Sequence, residues 1–234
     1  MSNKNTETTR NKVSPKKKKK KISVFRVIIL VFLSLFIIGS ALSLGILFAI
    51  VKTAQPINAA SIQNILDESS FIYDSEGNLV EKVHGSNYRT VVPLEQIPKH
   101  LQEAVISIED ERFYSHPGVD IKRIGGALIY DIKTRSLAQG ASTITMQLAK
   151  NLYTSPEKDF TRKIKDAYYA LEIEKQLSKD QILHAYLNTM SLGRCSIGVQ
   201  AGSQTYFSKD VSELNLAECA MIAGITKYPY KFSP

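Results

Sequence analysis

Two short runs of residues carry the side chains that could perform chemistry. The first, residues 109–120, combines acids, a histidine and aromatic residues, and it begins with Glu109. The second, residues 140–151, is a Gly-Ser-Thr turn that leads into a helical pattern. That pattern carries three polar side chains: Gln147, Lys150 and Asn151. Because carboxylates exchange protons and ammonium or amide groups bind anions, the two runs predict an anion site beside a proton-exchanging carboxylate.

Glu109 is the strongest candidate for a general acid or base. It ends a predicted helix, where the helix dipole opposes negative charge and suits a carboxyl group that exchanges a proton. A solvated acidic turn is the alternative for an isolated Glu-Asp-Glu triplet. The His-Pro-Gly sequence at 116–118 and the second run favour proton exchange.

The second run predicts how an anion would be held. Gly140 and Ala141 allow a close approach, and a helix that begins near Ser142 would direct free amide groups and its positive dipole end at a ligand. Gln147, Lys150 and Asn151 are spaced to share one face of that helix. The run lacks the Gly-Lys-Thr of a nucleotide phosphate loop, which argues against nucleotide binding.

The next predicted helix begins near Thr161 and carries Arg162, Lys163 and Asp166. Arg162 and Asp166 are four residues apart and could form an exposed ion pair, worth about 0.2–0.5 kcal/mol. Alternatively, the two cations bind phosphate and Asp166 joins Glu109 in the site. The sequence leaves both interpretations open.

The net charge of +8 is concentrated at the N-terminus. Residues 1–26 hold ten Lys or Arg and a single acid, Glu7, so the remaining chain is close to neutral. A lysine run can bind nucleic acid, but the folded part has no basic excess to match it. We therefore expect no nucleic acid partner.

Residues 27–51 contain no charged side chain and predict a transmembrane signal-anchor. At about 1.5 Å per residue, a helix of this length crosses a hydrocarbon core of about 30 Å. It exceeds the apolar core of a cleaved signal peptide, which has about 7–15 residues. The basic tail then lies in the cytoplasm against lipid headgroups, and the rest of the chain lies outside a single-pass anchor.

Beyond the anchor, residues 52–70 are predicted to connect it to one domain, residues 71–234, which is mainly α. Two extended pieces flank a turn at 76–78, and helical patterns begin near residue 97. Asp120, Ser178 and Asn215 are predicted to cap helices, the last two through capping boxes. The helix after Asp120 has an apolar stripe: Ile121, Ile124, Leu128 and Ile132. Cys195 and Cys219 leave a disulfide and two free thiols as alternatives.

Five ordered blocks resemble the peptidoglycan glycosyltransferase domain, glycosyltransferase family 51. The blocks are residues 109–118, 140–151, 162–166, 182–188 and 198–207. This domain occurs in monofunctional transglycosylases and at the N-terminus of class A penicillin-binding proteins. The resemblance covers roughly residues 65–234, and it implies a lysozyme-like α fold with a membrane-associated jaw subdomain.

The resemblance also implies a reaction, in which lipid II is polymerised into β-1,4-linked glycan and undecaprenyl diphosphate is released. Glu109 matches the glutamate that deprotonates the acceptor 4-hydroxyl, and Asp166 matches a second catalytic acid. Five residues match substrate contacts: Gln147, Lys150, Asn151, Arg162 and Lys163. No cofactor is required, although a divalent cation assists some members, and no metal-ligand cluster is visible in the sequence. The implied partners are lipid II, nascent glycan, membrane lipid and other cell-wall synthesis or division proteins.

Several positions depart from the family pattern. Asp166 stands where a glutamate is usual, His184 and Met146 replace a glutamate and a glutamine, and Ser191-Leu192 replaces Tyr-Phe. The chain also ends at Pro234, before the closing helices of the family domain, and it lacks the transpeptidase motif set. One alternative is therefore a weak paralogue, or the N-terminal fragment of a bifunctional penicillin-binding protein, that acts as a scaffold. A lysozyme-type hydrolase is a further alternative, which the cations and the anchor disfavour.

Overall fold

The computed structural model describes residues 24–54, 56–58, 62, 70–83, 88–135, 140–154, 160–194 and 196–232. The predictions for the lysine run, for most of the connector and for Cys195 lie outside these residues. Residues up to Ile46 and residues from Leu47 onward form two separate compact units.

Helix α1, Val24–Lys52, is apolar along nearly its full length. Residues 25–52 are long and apolar enough to cross a membrane, with a mean hydropathy of 2.8, and none of the apolar window is buried. An unburied helix that is hydrophobic on all sides is typical of a membrane span.

The described part of the remaining chain is mainly α, as predicted, and it includes two small pairs of strands. Strands β1, Ser70–Tyr73, and β2, Leu79–Val83, pair antiparallel around the predicted turn, with an irregularity between Ile72 and Tyr73. Strands β3, Tyr88–Arg89, and β4, Ser196–Ile197, pair parallel. The helices are α2 Lys99–Glu109, α3 Ile121–Thr134, α4 Ile144–Tyr153, α5 Phe160–Gln176, α6 Lys179–Thr189, α7 Val199–Phe207, α8 Leu216–Lys227 and α9 Pro229–Phe232. Short 3₁₀ turns occupy Leu94–Gln96, Phe113–Ser115 and Val211–Glu213.

Local capping signals place four of the described helix starts. The Asp120 carboxylate accepts from the Arg123 amide and caps α3. Ser178 and Asn215 form the predicted capping boxes at α6 and α8. Helix α4 begins at Ile144, two residues later than Ser142, because Thr143 supplies its cap.

The apolar stripe predicted on α3 is not part of the core. Ile121, Leu128 and Ile132 are 80%, 60% and 68% exposed, and Ala127 is the residue of α3 that is buried. Helical spacing identifies an apolar face, but it does not say whether another element covers that face.

The hydrophobic core lies among the helices other than α3. Its packing brings together the last turn of α2, one face of α4 and the last turn of α8. Helix α2 packs along α8, and α4 packs against both α5 and α6. Fully buried side chains from these helices include Leu101, Val105, Ile144, Leu148, Ile173, Leu183, Leu187 and Ile222. This packing positions the last turn of α2 beside one face of α4 and the last turn of α8. Cys219 on α8 is buried as a free thiol.

His184, one of the departures from the family pattern, has a structural partner. Its Nε2 lies 2.9 Å from the carbonyl oxygen of Val92. The Asn188 side chain accepts from the Val92 amide and donates to the same carbonyl, both at 3.0 Å. These two residues of α6 therefore hold the segment that precedes α2.

Candidate active site

Four of the predicted site residues line one cavity of about 650 Å³: Glu109, Gln147, Lys150 and Asn151. Glu109 is the last residue of α2, and the other three share a face of α4. Other residues around the cavity include Arg123, Ser142, Tyr186, Thr226 and Lys227. The cavity therefore contains a carboxylate, two amides and several cations.

Both oxygens of the Glu109 carboxylate accept hydrogen bonds. Gln147 donates through Nε2 to Oε2 at 2.5 Å, and the Thr226 hydroxyl lies 2.6 Å from Oε1. Hydrogen bonds to a carboxylate stabilise its ionised form and fix its orientation. The side chain is thus held from two different helices.

Tyr186 sets the orientation of the Gln147 amide. Its hydroxyl donates to Gln147 Oε1 at 3.0 Å, which leaves Nε2 to donate to Glu109. Burial, followed by the negative charges of Glu109 and Asp110, raises the pKa of Tyr186 well above its ordinary value. The phenol therefore keeps its proton and remains a donor.

Asp110 fixes the loop that follows Glu109. Its buried carboxylate lies 3.0 Å from His116 Nε2 and accepts from the Ile144 amide, also at 3.0 Å. It thereby joins the end of α2 to the start of α4. His116 Nδ1 is buried and has no hydrogen-bond partner among the described residues.

Gly118 brings the loop that follows Glu109 close to the start of α4 and to α5. Its φ is +91°, and its carbonyl accepts from the Thr143 hydroxyl at 2.5 Å. A side chain at this position would meet the Ala170 carbonyl oxygen at 2.8 Å. The His-Pro-Gly part of the motif is therefore structural, since it orients the loop that follows Glu109.

The predicted use of the α4 N-terminus as the anion site is wrong in part. The Ile144 amide already binds Asp110, and the Met146 amide binds the Thr143 hydroxyl at 3.1 Å. A protein carboxylate thus occupies the position at which a ligand anion was expected, because the helix start favours negative charge from either source. The polar face of α4 is what borders the cavity.

Arg162, Lys163 and Asp166 lie together on α5, close to one end of α4. Arg162 Nη1 lies 2.6 Å from Asp166 Oδ2, and the Thr154 hydroxyl donates to Asp166 at 3.0 Å. Burial raises the pKa of Asp166, against the Thr154 hydroxyl and the neighbouring cations. The ion pair within α5 therefore forms, but it is largely buried rather than exposed as predicted, with Arg162 16% and Asp166 2% exposed. A catalytic role for Asp166 stays a prediction.

Lys163 connects this group to the cavity. Its Nζ lies 2.5 Å from the Ser142 hydroxyl, and Ser142 lines the cavity. Partial burial, followed by the charge of Arg162, lowers the pKa of Lys163, with a smaller contribution from Lys150. Cations that repel one another in this way bind an anion favourably, because the negative charge of the anion offsets their mutual repulsion.

Arg123 is a cavity residue that sequence reasoning missed. Its guanidinium donates to the backbone carbonyl of Glu109. A cation at this carbonyl offsets the negative end of the α2 dipole beside the carboxylate. Thr226 and Lys227 were missed too, since nothing near residue 226 in the sequence indicates a neighbour of Glu109.

Three side chains with metal-ligand atoms, Asp110, His116 and Asp120, cluster within 4.8 Å of one another in the described chain. Sequence reasoning did not identify this group. Arg112 Nη2 lies 2.8 Å from Asp120 Oδ2, and Asp110 is occupied by His116 and the Ile144 amide. The two carboxylates are therefore already bound by protein donors, whereas His116 Nδ1 has no partner among the described residues.

Comparison with known proteins decides the family. Residues 76–234 match the family described as Transglycosylase. The chain belongs to the transglycosylase family. This finding confirms the resemblance to the peptidoglycan glycosyltransferase domain, and the matched range contains every predicted site residue.

Relatives of this transglycosylase chain include penicillin-binding proteins 1A. The protein of Clostridium botulinum is 45% identical over 223 residues, which cover 94% of this chain and 27% of the relative. The Clostridium perfringens protein is 43% identical over 235 residues, 95% of this chain and 33% of the relative. A protein from Neisseria flavescens is 45% identical over 163 residues, 70% of this chain and 20% of the relative. The chain thus spans a third or less of the length of these relatives.

Proposed function

We propose that this chain polymerises lipid II into β-1,4-linked glycan, as a membrane-anchored peptidoglycan glycosyltransferase. The observation that carries the proposal is the Glu109 carboxylate, held by Gln147 and Thr226 at the edge of a cavity lined with cations. A transferase that uses a diphosphate leaving group needs both a base and positive charge. Family membership supports the same reaction.

In this mechanism Glu109 acts as the general base. The 4-hydroxyl oxygen of the incoming lipid II forms a bond to the anomeric carbon of the growing chain, and its proton passes to Glu109. The bond from that carbon to the diphosphate oxygen breaks, and its electron pair leaves with undecaprenyl diphosphate. Attack from the face opposite the leaving group inverts the configuration and gives the β linkage.

The cations stabilise the departing diphosphate. Lys150 and Arg123 line the cavity directly, and Lys163 reaches it through Ser142. Gln147 and Asn151 supply amide groups on the same face of α4. Charge that develops on the leaving group is stabilised most by groups already held in place, because they need not reorganise during the reaction.

Membrane anchoring is the second part of the proposal. Helix α1 is long and apolar enough to span a bilayer, and a lipid-linked substrate requires an enzyme at the membrane surface. The lysine-rich N-terminus supports a cytoplasmic tail, which leaves the domain outside the cell membrane. Other cell-wall synthesis or division proteins are proposed partners because the family match implies them.

The proposal is tested by polymerisation of labelled lipid II by the full 234-residue chain in detergent micelles. We expect polymer from the wild type and a loss of at least 100-fold in Glu109→Gln, since general-base catalysis contributes about 10²–10⁴-fold. Glu111→Gln is the matched control, because Glu111 is exposed on the same turn. It should polymerise at the wild-type rate.

Three outcomes would redirect the proposal. Equal polymer from wild type and Glu109→Gln would exclude Glu109 as the base. Lipid II binding without polymer in the wild type would favour a scaffold, and shortened glycan would favour a hydrolase.

The variant Asp166→Glu tests the second predicted catalytic acid, Asp166. Faster turnover in this variant would show that the shorter aspartate side chain limits the activity of the wild type.

Metal removal gives a separate prediction. No step of the proposed mechanism needs a metal, so we expect polymer to form at the same rate in excess EDTA. The check is the initial rate of lipid II consumption with EDTA, and again after Mg²⁺ is added back. A rate that collapses with EDTA and recovers with Mg²⁺ would contradict the prediction.

A further inference from the structure

Thr226 contacts the carboxylate of the candidate base from a distant part of the chain. It precedes the last residue of α8, and its hydroxyl lies 2.6 Å from Oε1 of Glu109, the last residue of α2. These two helices pack along each other. The contact joins residues 117 apart in the chain and depends entirely on that packing.

The Thr226 hydroxyl has two neighbours and a single hydrogen. Besides Glu109 Oε1, it lies 2.8 Å from the backbone carbonyl oxygen of Ala223. A hydroxyl donates once and accepts twice, whereas a carbonyl oxygen only accepts. The direction of the Thr226 hydrogen must therefore depend on the charge of Glu109.

For each protonation state of Glu109, one arrangement of hydrogens lets Thr226 and Glu109 keep all of their hydrogen bonds. When Glu109 is ionised, Thr226 donates to the carboxylate, because a charged acceptor makes the stronger bond. When Glu109 is protonated at Oε1, its O–H donates to Thr226 Oγ1, and the Thr226 hydrogen turns to Ala223. No proton leaves the pair, and the heavy atoms stay in place.

The other oxygen of Glu109 does not have this freedom. Gln147 Nε2 can only donate to Oε2, because the Tyr186 hydroxyl holds the opposite end of the amide. Oε1 is therefore the oxygen at which a proton can rest without losing a hydrogen bond. The two neighbours of the carboxylate therefore have different roles. Gln147 can only donate a hydrogen bond to Glu109, whereas Thr226 can either donate or accept one.

We propose that Thr226 is a positioning residue for Glu109, whose hydroxyl reverses its hydrogen bond so that the base keeps one geometry before and after proton transfer. The inference rests on the proposed function, since it assigns a residue to the same reaction. Thr226 forms no bond to the substrate in this role. Its effect is on turnover, because it acts on the group that takes the proton.

The test compares Thr226→Val, which keeps the side-chain shape and removes the hydroxyl, with Thr226→Ser, which keeps the hydroxyl. The steady-state rate of lipid II consumption gives kcat and KM. We expect kcat of Thr226→Val to fall about tenfold, the scale of one hydrogen bond to a charged group, with KM within about twofold. Thr226→Ser should recover most of the wild-type kcat.

Thr134→Val is the control for loss of a helical threonine hydroxyl. Thr134 also bonds a carbonyl of its own helix, Tyr130 at 2.9 Å, and it lies at the exposed end of α3. It should leave kcat unchanged. Thr226→Ala serves as a second hydroxyl-free variant if Thr226→Val does not fold, as judged by thermal unfolding.

The outcomes separate the inference from the function on which it rests. Polymer from the wild type with an unchanged kcat in Thr226→Val, or with Thr226→Ser as impaired as Thr226→Val, overturns the inference and leaves the function standing. Absence of polymer from the wild type overturns the proposed function, and the inference with it. A selective fall in kcat that serine rescues supports both.

Discussion

At the scale of single residues, the site depends on a chain of donors that ends at one carboxylate. Tyr186 donates to Gln147, Gln147 donates to Glu109, and Thr226 bonds the other carboxylate oxygen. Glu109 could be identified from its sequence motif and Gln147 from its helical spacing. The Tyr186 and Thr226 contacts could not be identified in this way, because they join residues 39 and 117 apart.

Tyr186→Phe should lower kcat about tenfold with little change in KM. Without the phenol, Gln147 Oε1 loses its donor and the amide can turn its oxygen toward Glu109, which repels the carboxylate and costs about one hydrogen bond. Initial rates of lipid II consumption give both constants. A wild-type kcat in this variant would show that the amide keeps its orientation without Tyr186.

Tyr206→Phe is the matched control for that prediction. Its hydroxyl donates to the Leu192 carbonyl at 2.6 Å, and it is not among the residues that line the cavity. We expect it to lower the melting temperature and to leave kcat unchanged.

At the scale of elements, the loop between α2 and α3 is what holds the base in place. Asp110 binds the start of α4, Gly118 binds Thr143, and Arg112 pairs with the Asp120 cap of α3. The density of polar residues in this run thus has a structural cause as well as the proposed catalytic one. Of the acids and histidine in the run, Glu109 alone is among the residues that line the cavity beside α4.

Gly118→Ala should lower the melting temperature by roughly 4–8 °C, which corresponds to about 2 kcal/mol in a domain of this size. The added methyl would lie 2.8 Å from the Ala170 carbonyl oxygen and would also require a positive φ. Gly77→Ala is the control, because Gly77 has a similar φ of +82° with nothing within 4 Å of the added atom. Equal shifts in the two variants, measured by thermal unfolding, would show that the close approach costs nothing.

Asp120→Asn should remove part of the acid sensitivity of the fold. Burial alone would raise the pKa of Asp120, but hydrogen bonds from the Arg123 amide and Arg112, with the charges of Arg112 and His116, together lower it below 3.8. A lowered pKa gives stability that is present above pH 3.8 and is lost as the pH falls through the folded-state value.

Melting temperatures measured across the acid range check this prediction. The wild type should lose more stability than Asp120→Asn as the pH falls below about 4, while asparagine still caps α3. Glu111→Gln, which changes an exposed acid nearby, should follow the wild type. Parallel curves for wild type and Asp120→Asn would contradict the assignment.

At the scale of the molecule, an apolar helix and a polar domain of the transglycosylase family occur in one chain. The helix contains an apolar window of mean hydropathy 2.8, none of which is buried. The domain is close to neutral once the basic N-terminus is set aside. This division agrees with an enzyme that acts on a lipid-linked substrate at a membrane surface.

The double substitution Ile37→Arg and Ile38→Arg should release the chain from membranes. Each arginine at the centre of a span costs about 2.5–3.5 kcal/mol on insertion scales, and both positions lie near the middle of α1. The measurement is the fraction that stays with membranes after an alkaline carbonate wash. Ile37→Leu with Ile38→Leu is the control and should stay bound, and retention of the arginine variant would argue against a spanning helix.

The sequence by itself determined the features that depend on near neighbours. The capping boxes at Ser178 and Asn215, the end of α2 at Glu109 and the apolar length of α1 all follow from interactions within a few residues. The five motif blocks determined the family for the same reason, since their residue types and spacing are visible in the chain itself.

The tertiary structure alone decided which of those features meet. Helical spacing predicted an apolar stripe on α3, but the packing leaves it exposed. The start of α4 was predicted to hold a ligand anion, but Asp110, 34 residues earlier, occupies it. Thr226 reaches Glu109 because α8 packs along α2. Such contacts depend on how elements that are distant in the sequence pack together. Local periodicity identifies a helix face, but it does not say which element, if any, packs against that face.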